Sequence, residues 1–145
     1  MVSKTVDSGH RKISVVGLGY VGTVLAMFLC EKGAEVYGVE KQQEIVAKIN
    51  QGLSPIKETL IPELVEKYVS EGKLVASTDM SVIANTDTVL VTVGTPLGED
   101  YSPDFRAIKE VSEEIAKYLH RGHLIIYKST VTPGTIEETV LPILE

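Results

Sequence analysis

Short apolar runs rich in valine and isoleucine alternate along the chain with longer stretches in which apolar residues recur every three or four positions. The first pattern is typical of buried strands and the second of amphipathic helices. The pattern predicts five strands, at Ile13–Val16, Glu35–Val39, Leu74–Ser77, Thr88–Val93 and Leu124–Tyr127. Because the runs are continuous rather than alternating, they favour parallel strands that are covered by helices on both faces.

Helices are predicted between the strands, and glycines mark several of their ends. The first helix is predicted to begin just after Gly19 and to stop near Gly33, with a buried face formed by Val21, Val24, Leu25 and Phe28. Further helices are predicted from Gln42 to Asn50, from Ile61 to Ser70, from Ser102-Pro103 to Gly122, and after Pro133-Gly134. The alternation of strands and helices predicts an α/β fold with a parallel sheet, in one three-layer domain.

Three glycines, Gly17, Gly19 and Gly22, stand where the first strand gives way to the first helix. Such a triplet alone is a weak indication, because glycine-rich turns are common in structural loops. Here it opens a helix, whose unpartnered N–H groups would face an anion such as a pyrophosphate. Gly17 would permit the tight turn, Gly19 would let the phosphate approach, and Gly22 would let the helix pack closely on the strand.

Glu40 ends the second predicted strand, where a carboxylate can accept hydrogen bonds from ribose hydroxyls. Alone, a glutamate beside Lys41 is an ordinary solvated charge. Together with the glycine triplet and its strands and helix, Glu40 predicts a doubly wound, Rossmann-type domain that binds a dinucleotide. Its charge would repel a 2′-phosphate, so NAD is preferred to NADP, although the Lys41 ammonium keeps NADP open as a minor alternative.

Composition and charge narrow the class of protein further. The 145 residues are the usual size of one domain, and the net charge of −6, dispersed along the chain, argues against a nucleic-acid partner. No apolar run approaches the roughly 20 residues of a membrane-spanning helix, and the single cysteine, Cys30, cannot form an internal disulfide. We therefore expect a cytoplasmic protein without a membrane partner, with a flexible tail over residues 1–11 and a dinucleotide-binding domain over residues 12–145.

Four segments, VVGLGYVG, VTVGTP, SPDF and KSTVTPGT, follow one another in this order. With them the chain resembles the N-terminal NAD-binding domain of the UDP-glucose/GDP-mannose dehydrogenase family. The resemblance implies a parent enzyme, commonly a homodimer, that oxidises the C6 alcohol of a nucleotide-linked hexose to a carboxylate in two hydride transfers. It implies that Thr130 is catalytic, by positioning a water or substrate oxygen. It implies cofactor contacts from Gly17, Leu18, Gly19, Tyr20, Val21, Gly22, Glu40, Val93, Gly94, Thr95, Pro96, Leu97 and Ser129.

The chain departs from the family pattern at two positions and lacks part of its chemistry. The family usually has aspartate where Glu40 stands and commonly a basic residue where Ile45 stands. Its nucleophilic cysteine, its lysine and its asparagine would lie beyond Glu145, and Cys30, inside a predicted helix, is no substitute. A sixth strand is also missing. We therefore expect a truncated chain without the C-terminal catalytic and substrate parts, and inactive alone.

Other interpretations stay open from the sequence. An NAD-sensing regulatory module, a non-catalytic dinucleotide-binding module and an ordinary alcohol or hydroxyacid dehydrogenase all use such a domain. Thr95, Ser129 and Thr130 could be turn residues, because hydroxyls readily bond nearby backbone groups. His120 and His123 are separated by the helix-breaking Gly122 and have no acidic or thiolate partner, so no metal site is predicted. UDP-glucose, UDP-N-acetylmannosamine and GDP-mannose are equally compatible as sugars.

Overall fold

The computed structural model describes residues 11–98 and 101–145. Five parallel strands form one sheet in the order β3-β2-β1-β4-β5. The strands are β1 (Lys12–Val16), β2 (Glu35–Val39), β3 (Leu74–Ser77), β4 (Thr88–Val91) and β5 (Leu124–Tyr127). The predicted doubly wound parallel sheet is therefore confirmed. The predicted tail lies outside the described residues except for Arg11, whose carbonyl accepts the N–H of Glu35 at 2.9 Å.

The helices follow the strands in the expected alternation. They are α1 (Tyr20–Glu31), α2 (Gln43–Asn50), α3 (Ile61–Ser70), α4 (Arg106–Ala116) and α5 (Leu141–Leu144). A 3₁₀ helix at Met80–Asn85 precedes β4, and a π-helical segment at Ile136–Val140 leads into α5. The 3₁₀ helix was not predicted. Gly33 follows α1 with a φ of 90°, the left-handed conformation that glycine adopts without strain.

Two predicted boundaries are wrong for local reasons. The fourth strand ends at Val91 rather than Val93, because its neighbour β1 ends at Val16, which pairs with Val91, so the ladder between the two strands stops there. The fourth helix begins at Arg106 rather than next to Ser102. Its N-cap residue is Phe105; the preceding Asp104 accepts the N–H of Arg106 at 3.0 Å, while Pro103 pairs with Leu97 in an isolated bridge.

The predicted buried face of α1 is wrong at two of its four positions, although Val24 and Leu25 do pack against the core. Val21 and Phe28 are 55% and 53% exposed. The helix instead buries Gly22, Thr23, Ala26, Met27 and Cys30, which share one face at helical spacing. Gly22 faces the sheet and sets the rotation of the helix about its axis. Because this face contains small and polar residues, the hydrophobicity pattern did not identify it as the buried face.

Two apolar clusters cover the two faces of the sheet. Val15 and Leu90 belong to the cluster beneath α1, α2 and α3, whereas Val16 and Val91 belong to the cluster beneath α4 and the 3₁₀ helix. Because neighbouring strand residues point to opposite faces, the result is the expected three-layer domain. Among the described residues, no helix has the length and apolar character needed to cross a membrane.

Candidate functional site

A cavity of about 470 Å³ opens at the carboxyl edge of the sheet, between the ends of β1, β2 and β4 and one side of α4. Strand order reverses here, since β1 lies between β2 and β4. Open α/β sheets bind ligands at such a switch point. The lining residues are Val16, Gly17, Gly19, Val39, Glu40, Lys41, Gln42, Thr78, Met80, Thr92, Val93, Gly94, Ala107, Glu110, Val111 and Glu114.

The three glycines of the turn after β1 have three different surroundings. Gly17 has a φ of 95°, which L side chains rarely adopt. A Cβ at Gly22 would lie 1.8 Å from the carbonyl oxygen of Gly17, so only glycine allows α1 to approach this closely. A Cβ at Gly19 would meet nothing within 4 Å. The space in front of Gly19 is therefore open to a ligand.

Side chains hold two successive peptide groups of this turn. The hydroxyl of Thr92 donates to the Gly17 carbonyl at 2.7 Å, and the Leu18 N–H donates to the Glu40 carboxylate at 2.9 Å. In the next peptide, the hydroxyl of Thr23 donates to the Leu18 carbonyl at 3.0 Å. The turn is thus fixed by groups from β2, α1 and the end of β4.

The N–H groups at the start of α1 are left for a ligand. The first helical bond runs from the Thr23 N–H to the Gly19 carbonyl at 3.0 Å, and no side chain in the described part of the chain caps the helix. Within residues 11–98 and 101–145, the N–H groups of Gly19, Tyr20 and Val21 have no acceptor. They lie at the positive end of the helix dipole, an environment that suits a phosphate oxygen.

Glu40 lies at the same edge and is only 8% exposed, so the interpretation as an ordinary solvated charge is wrong. One carboxylate oxygen accepts the Leu18 N–H, and the other accepts the Gln42 N–H at 3.1 Å. A carboxylate offers about four acceptor positions, so two stay available to a ligand. Because Glu40 also lines the cavity, it can bind hydroxyl groups there while it braces the turn.

Two of the predicted hydroxyls after β4 and β5, those of Thr95 and Ser129, bond to the backbone rather than lining the cavity. Thr95 donates to the Thr130 carbonyl at 2.7 Å, and Ser129 donates to the Val93 carbonyl at 2.6 Å. These bonds tie the ends of the two strands together. Val93 and Gly94 do line the cavity, while Thr95, Ser129 and Thr130 do not. Their predicted roles toward the cofactor or substrate stay predictions.

Five other predicted site residues, Leu18, Tyr20, Val21, Pro96 and Leu97, are not among those that line the cavity. Leu18 is 1% exposed, so only its backbone belongs to the turn. The Tyr20 hydroxyl donates to Glu58 at 2.5 Å, outside the cavity. The Pro96 carbonyl accepts the N–H of Asp104 at 2.8 Å, and Leu97, paired with Pro103, is 64% exposed. Val21, as described above, is exposed on α1.

Several lining residues were missed by the sequence analysis. Met80, Ala107 and Val111 form an apolar part of the wall, and Glu114 also borders the cavity. Thr92 comes directly before the segment that was predicted to line the cofactor. Its position at the end of β4, next to the central strand, is the feature that would have identified it.

The histidines and the cysteine that could take part in metal binding or catalysis have surroundings typical of residues with a structural role. Among the described residues, no group of three His, Cys, Asp or Glu side chains is arranged to hold a metal ion. The rings of His120 and His123 stack with centroids 3.7 Å apart, and Nε2 of His123 hydrogen-bonds the Thr86 carbonyl at 2.6 Å. Burial raises the pKa of the Cys30 thiol to about 12, which keeps it protonated and poorly nucleophilic at neutral pH.

Comparison with known proteins gives consistent matches along nearly the whole chain. Residues 11–145 match the model of the UDP-glucose/GDP-mannose dehydrogenase family, NAD binding domain. The chain is 41% identical over 138 residues to the GDP-mannose 6-dehydrogenase of Pseudomonas syringae pv. syringae. It is 37% identical over 137 residues to a UDP-glucose 6-dehydrogenase of Haloferax volcanii. Each match covers 92% of this chain and 32% of the relative, so the chain spans about a third of the length of these enzymes.

Solved structures show the same relationship. A ternary complex of GDP-mannose dehydrogenase from Pseudomonas aeruginosa superimposes with a TM-score of 0.88 at 36% identity, over 92% of this chain and 31% of that one. A UDP-glucose dehydrogenase from Pyrobaculum islandicum gives a TM-score of 0.86 at 32% identity, over 99% of this chain and 34% of that one. With the glycine turn, the buried Glu40 and the switch-point cavity, these matches lead to one conclusion. The chain belongs to the UDP-glucose/GDP-mannose dehydrogenase family and corresponds to its NAD-binding domain.

Proposed function

We propose that this chain serves as the NAD-binding domain of a nucleotide-sugar 6-dehydrogenase. The whole enzyme would oxidise the C6 alcohol of a UDP- or GDP-linked hexose to a carboxylate in two hydride transfers. The observation that carries the proposal is the set of N–H groups at Gly19, Tyr20 and Val21, which have no acceptor among the described residues and lie beside a buried acceptor, Glu40. The known relatives described above are dehydrogenases, which favours this function over an NAD-sensing module.

Different residues of the cavity would bind different parts of the cofactor. The turn N–H groups would bind the diphosphate, and the two free acceptor positions of Glu40 would bind the adenosine ribose hydroxyls. The apolar wall of Met80, Ala107 and Val111 would then contact the adenine ring. When bound, NAD supplies the hydride acceptor for both oxidation steps.

The nicotinamide half would extend toward the ends of β4 and β5. Val93 and Gly94 already line the cavity on that side, and Ser129 holds the Val93 carbonyl in place. Following the family resemblance, we assign the nicotinamide half to residues Val93–Leu97 and to Ser129. Thr130, whose side chain is exposed, would position a water or a substrate oxygen.

We further propose a homodimeric, cytoplasmic parent enzyme whose remaining residues recognise the nucleotide sugar. The lone thiol of Cys30, buried and unpaired, suits a reducing compartment. Residues 12–145 would form the NAD-binding unit of that enzyme.

Calorimetry of this chain with NAD tests the proposed function, and Gly19 offers a sharp variant. Its φ of −71° and ψ of −158° suit any side chain, and the space around its missing Cβ is open. Gly19→Val should therefore fold while it fills the space of the diphosphate. We expect NAD to bind the wild type, to bind Gly19→Ala more weakly and to leave no detectable heat with Gly19→Val. Equal NAD binding by all three, or none by the wild type, would refute the proposal.

A further inference from the structure

One peptide group of the glycine turn is held from both of its ends by side chains of two different strand ends. Its oxygen, the Gly17 carbonyl, accepts the Thr92 hydroxyl at 2.7 Å. Its hydrogen, the Leu18 N–H, is donated to the Glu40 carboxylate at 2.9 Å. A trans peptide is planar, with C=O and N–H pointing in opposite directions, so these two contacts together fix the orientation of the plane.

Thr92 is well placed for this contact. Its own N–H donates to the Val16 carbonyl at 2.9 Å, which anchors its backbone to the end of β1. Its hydroxyl also lies 3.1 Å from that carbonyl, and the single hydroxyl hydrogen favours the closer Gly17 oxygen. A Cβ at Gly22 would come within 2.7 Å of the same hydroxyl, so Thr92 fills the corner between β4, the turn and α1.

We propose that Thr92 is a positioning residue for the phosphate-binding turn, which it holds in its binding conformation through the Gly17 carbonyl. The inference rests on the proposed function, since it concerns the site of the NAD diphosphate. Thr92 acts on the cofactor through the backbone, by limiting rotation of the Gly17–Leu18 peptide. That rotation would displace the neighbouring N–H group of Gly19.

The peptide plane between Gly17 and Leu18 needs such a restraint because Gly17 is a glycine. Gly17 has no side chain to restrict its backbone, and the plane that follows it can rotate at low steric cost. When only a fraction of molecules holds the binding conformation, the apparent Kd rises by the inverse of that fraction. A hydroxyl that stabilises the conformation therefore lowers the Kd without touching the ligand. Glu40 restrains the N–H end of the same peptide plane, so the side chains of Thr92 and Glu40 together hold the turn in its binding conformation.

Two substitutions separate this role from simple packing. Thr92→Val keeps the shape of the side chain but removes the hydroxyl, whereas Thr92→Ser keeps the hydroxyl and removes a methyl group. Thr88→Val is the matched control, because Thr88 lies at the opposite, amino end of β4. Binding of NAD and of ADP-ribose to the 145-residue chain is measured by calorimetry, and amide hydrogen exchange of Leu18 is measured by NMR without ligand.

We expect Thr92→Val to weaken the binding of both ligands about five- to tenfold, the loss that one hydrogen bond commonly causes. Leu18 exchange should quicken by a similar factor in the same variant. Thr92→Ser and Thr88→Val should stay within about twofold of the wild type in both measurements. Unchanged binding and exchange in a folded Thr92→Val, or equal losses in Thr92→Val and Thr92→Ser, would overturn the inference.

The exchange measurement keeps this test independent of the proposed function. If the wild type fails to bind NAD, the proposed function falls, while the effect of Thr92 on the Leu18 amide can still be observed. If NAD binds and Leu18 exchange is the same in Thr92→Val as in the wild type, the positioning role of Thr92 is refuted while the proposed function stands.

Discussion

Gly22 lies against the carbonyl of Gly17 so closely that a Cβ at position 22 would stand 1.8 Å from that oxygen. This contact joins the first turn of α1 to the glycine turn after β1. It determines which face of α1 meets the sheet, and it brings the first N–H groups of the helix to the edge of the cavity. The shape of the binding site therefore depends on the absence of one methyl group.

Gly22→Ala should destabilise the protein, although glycine-to-alanine changes inside helices usually stabilise by about 1 kcal/mol. The added Cβ forces α1 away from the turn, and overpacking of this kind costs roughly 1–3 kcal/mol. Urea unfolding measures the difference. Gly19→Ala is the control, because its Cβ meets open space and the unfolding free energy should hardly change. Equal unfolding free energies for the two variants would contradict the close packing at Gly22.

Glu40→Gln should weaken both the fold and the binding of NAD. The carboxylate accepts two backbone N–H groups while almost fully buried, whereas an amide has one acceptor oxygen and presents an NH₂ group to the second N–H. An unmet buried donor costs about 1–3 kcal/mol. The exposed Glu44→Gln in α2 is the matched control for the loss of a negative charge. An unfolding free energy of Glu40→Gln equal to that of the control would argue against a bracing role.

Cys30 should be unreactive in the folded protein. Burial raises its pKa to about 12 from an ordinary value of 9.0, so the nucleophilic thiolate is scarce at pH 8. A chromogenic disulfide reagent should modify Cys30 slowly in buffer and rapidly in denaturant. Because the folded state holds this proton more tightly, the thiol contributes stability below pH 9, which is lost as the pH rises toward 12. Cys30→Ala should show a shallower decline over that range, and rapid modification of the native thiol would contradict its burial.

The chain should bind NAD more tightly than NADP. The residues that line the cavity include three carboxylates, those of Glu40, Glu110 and Glu114, and one cation, Lys41; Lys117, outside the lining, pairs with Glu114. A 2′-phosphate placed among these carboxylates is repelled, and we expect a preference for NAD of about tenfold or more at low salt. The double variant E110Q/E114Q should raise the affinity for NADP and leave that for NAD nearly unchanged. A preference that is insensitive to salt and to this variant would exclude an electrostatic origin.

The parts of the fold that depend on local sequence could be predicted. The apolar runs identified the strands, and the glycine turn and Glu40 were placed because their spacing follows one continuous unit of strand, turn, helix and strand. The rotation of α1 could not be predicted, because the contact of Gly22 with the turn, and not hydrophobicity, selects the face that buries Thr23 and Cys30.

The roles that depend on neighbours distant in sequence were also missed. Thr92 is 75 positions from Gly17 along the chain, so its contact with the turn exists only once β4 lies beside β1. The burial of Glu40 has the same origin, since it follows from the bond to Leu18 across the strand ends. Glu114 reaches the cavity because α4 packs over β4, a relationship that a helical pattern alone does not contain.

The most direct test of the central claim is an NMR titration of the ¹⁵N-labelled chain with NAD, followed at the backbone amides. The account predicts saturable shifts that are largest at Gly19, Tyr20 and Val21, whose N–H groups have no acceptor among the described residues, with smaller shifts at Leu18 and Gln42. ADP-ribose should reproduce the shifts at the turn, because it carries the same diphosphate. Saturable binding of NAD that leaves these three amides unmoved would contradict the account.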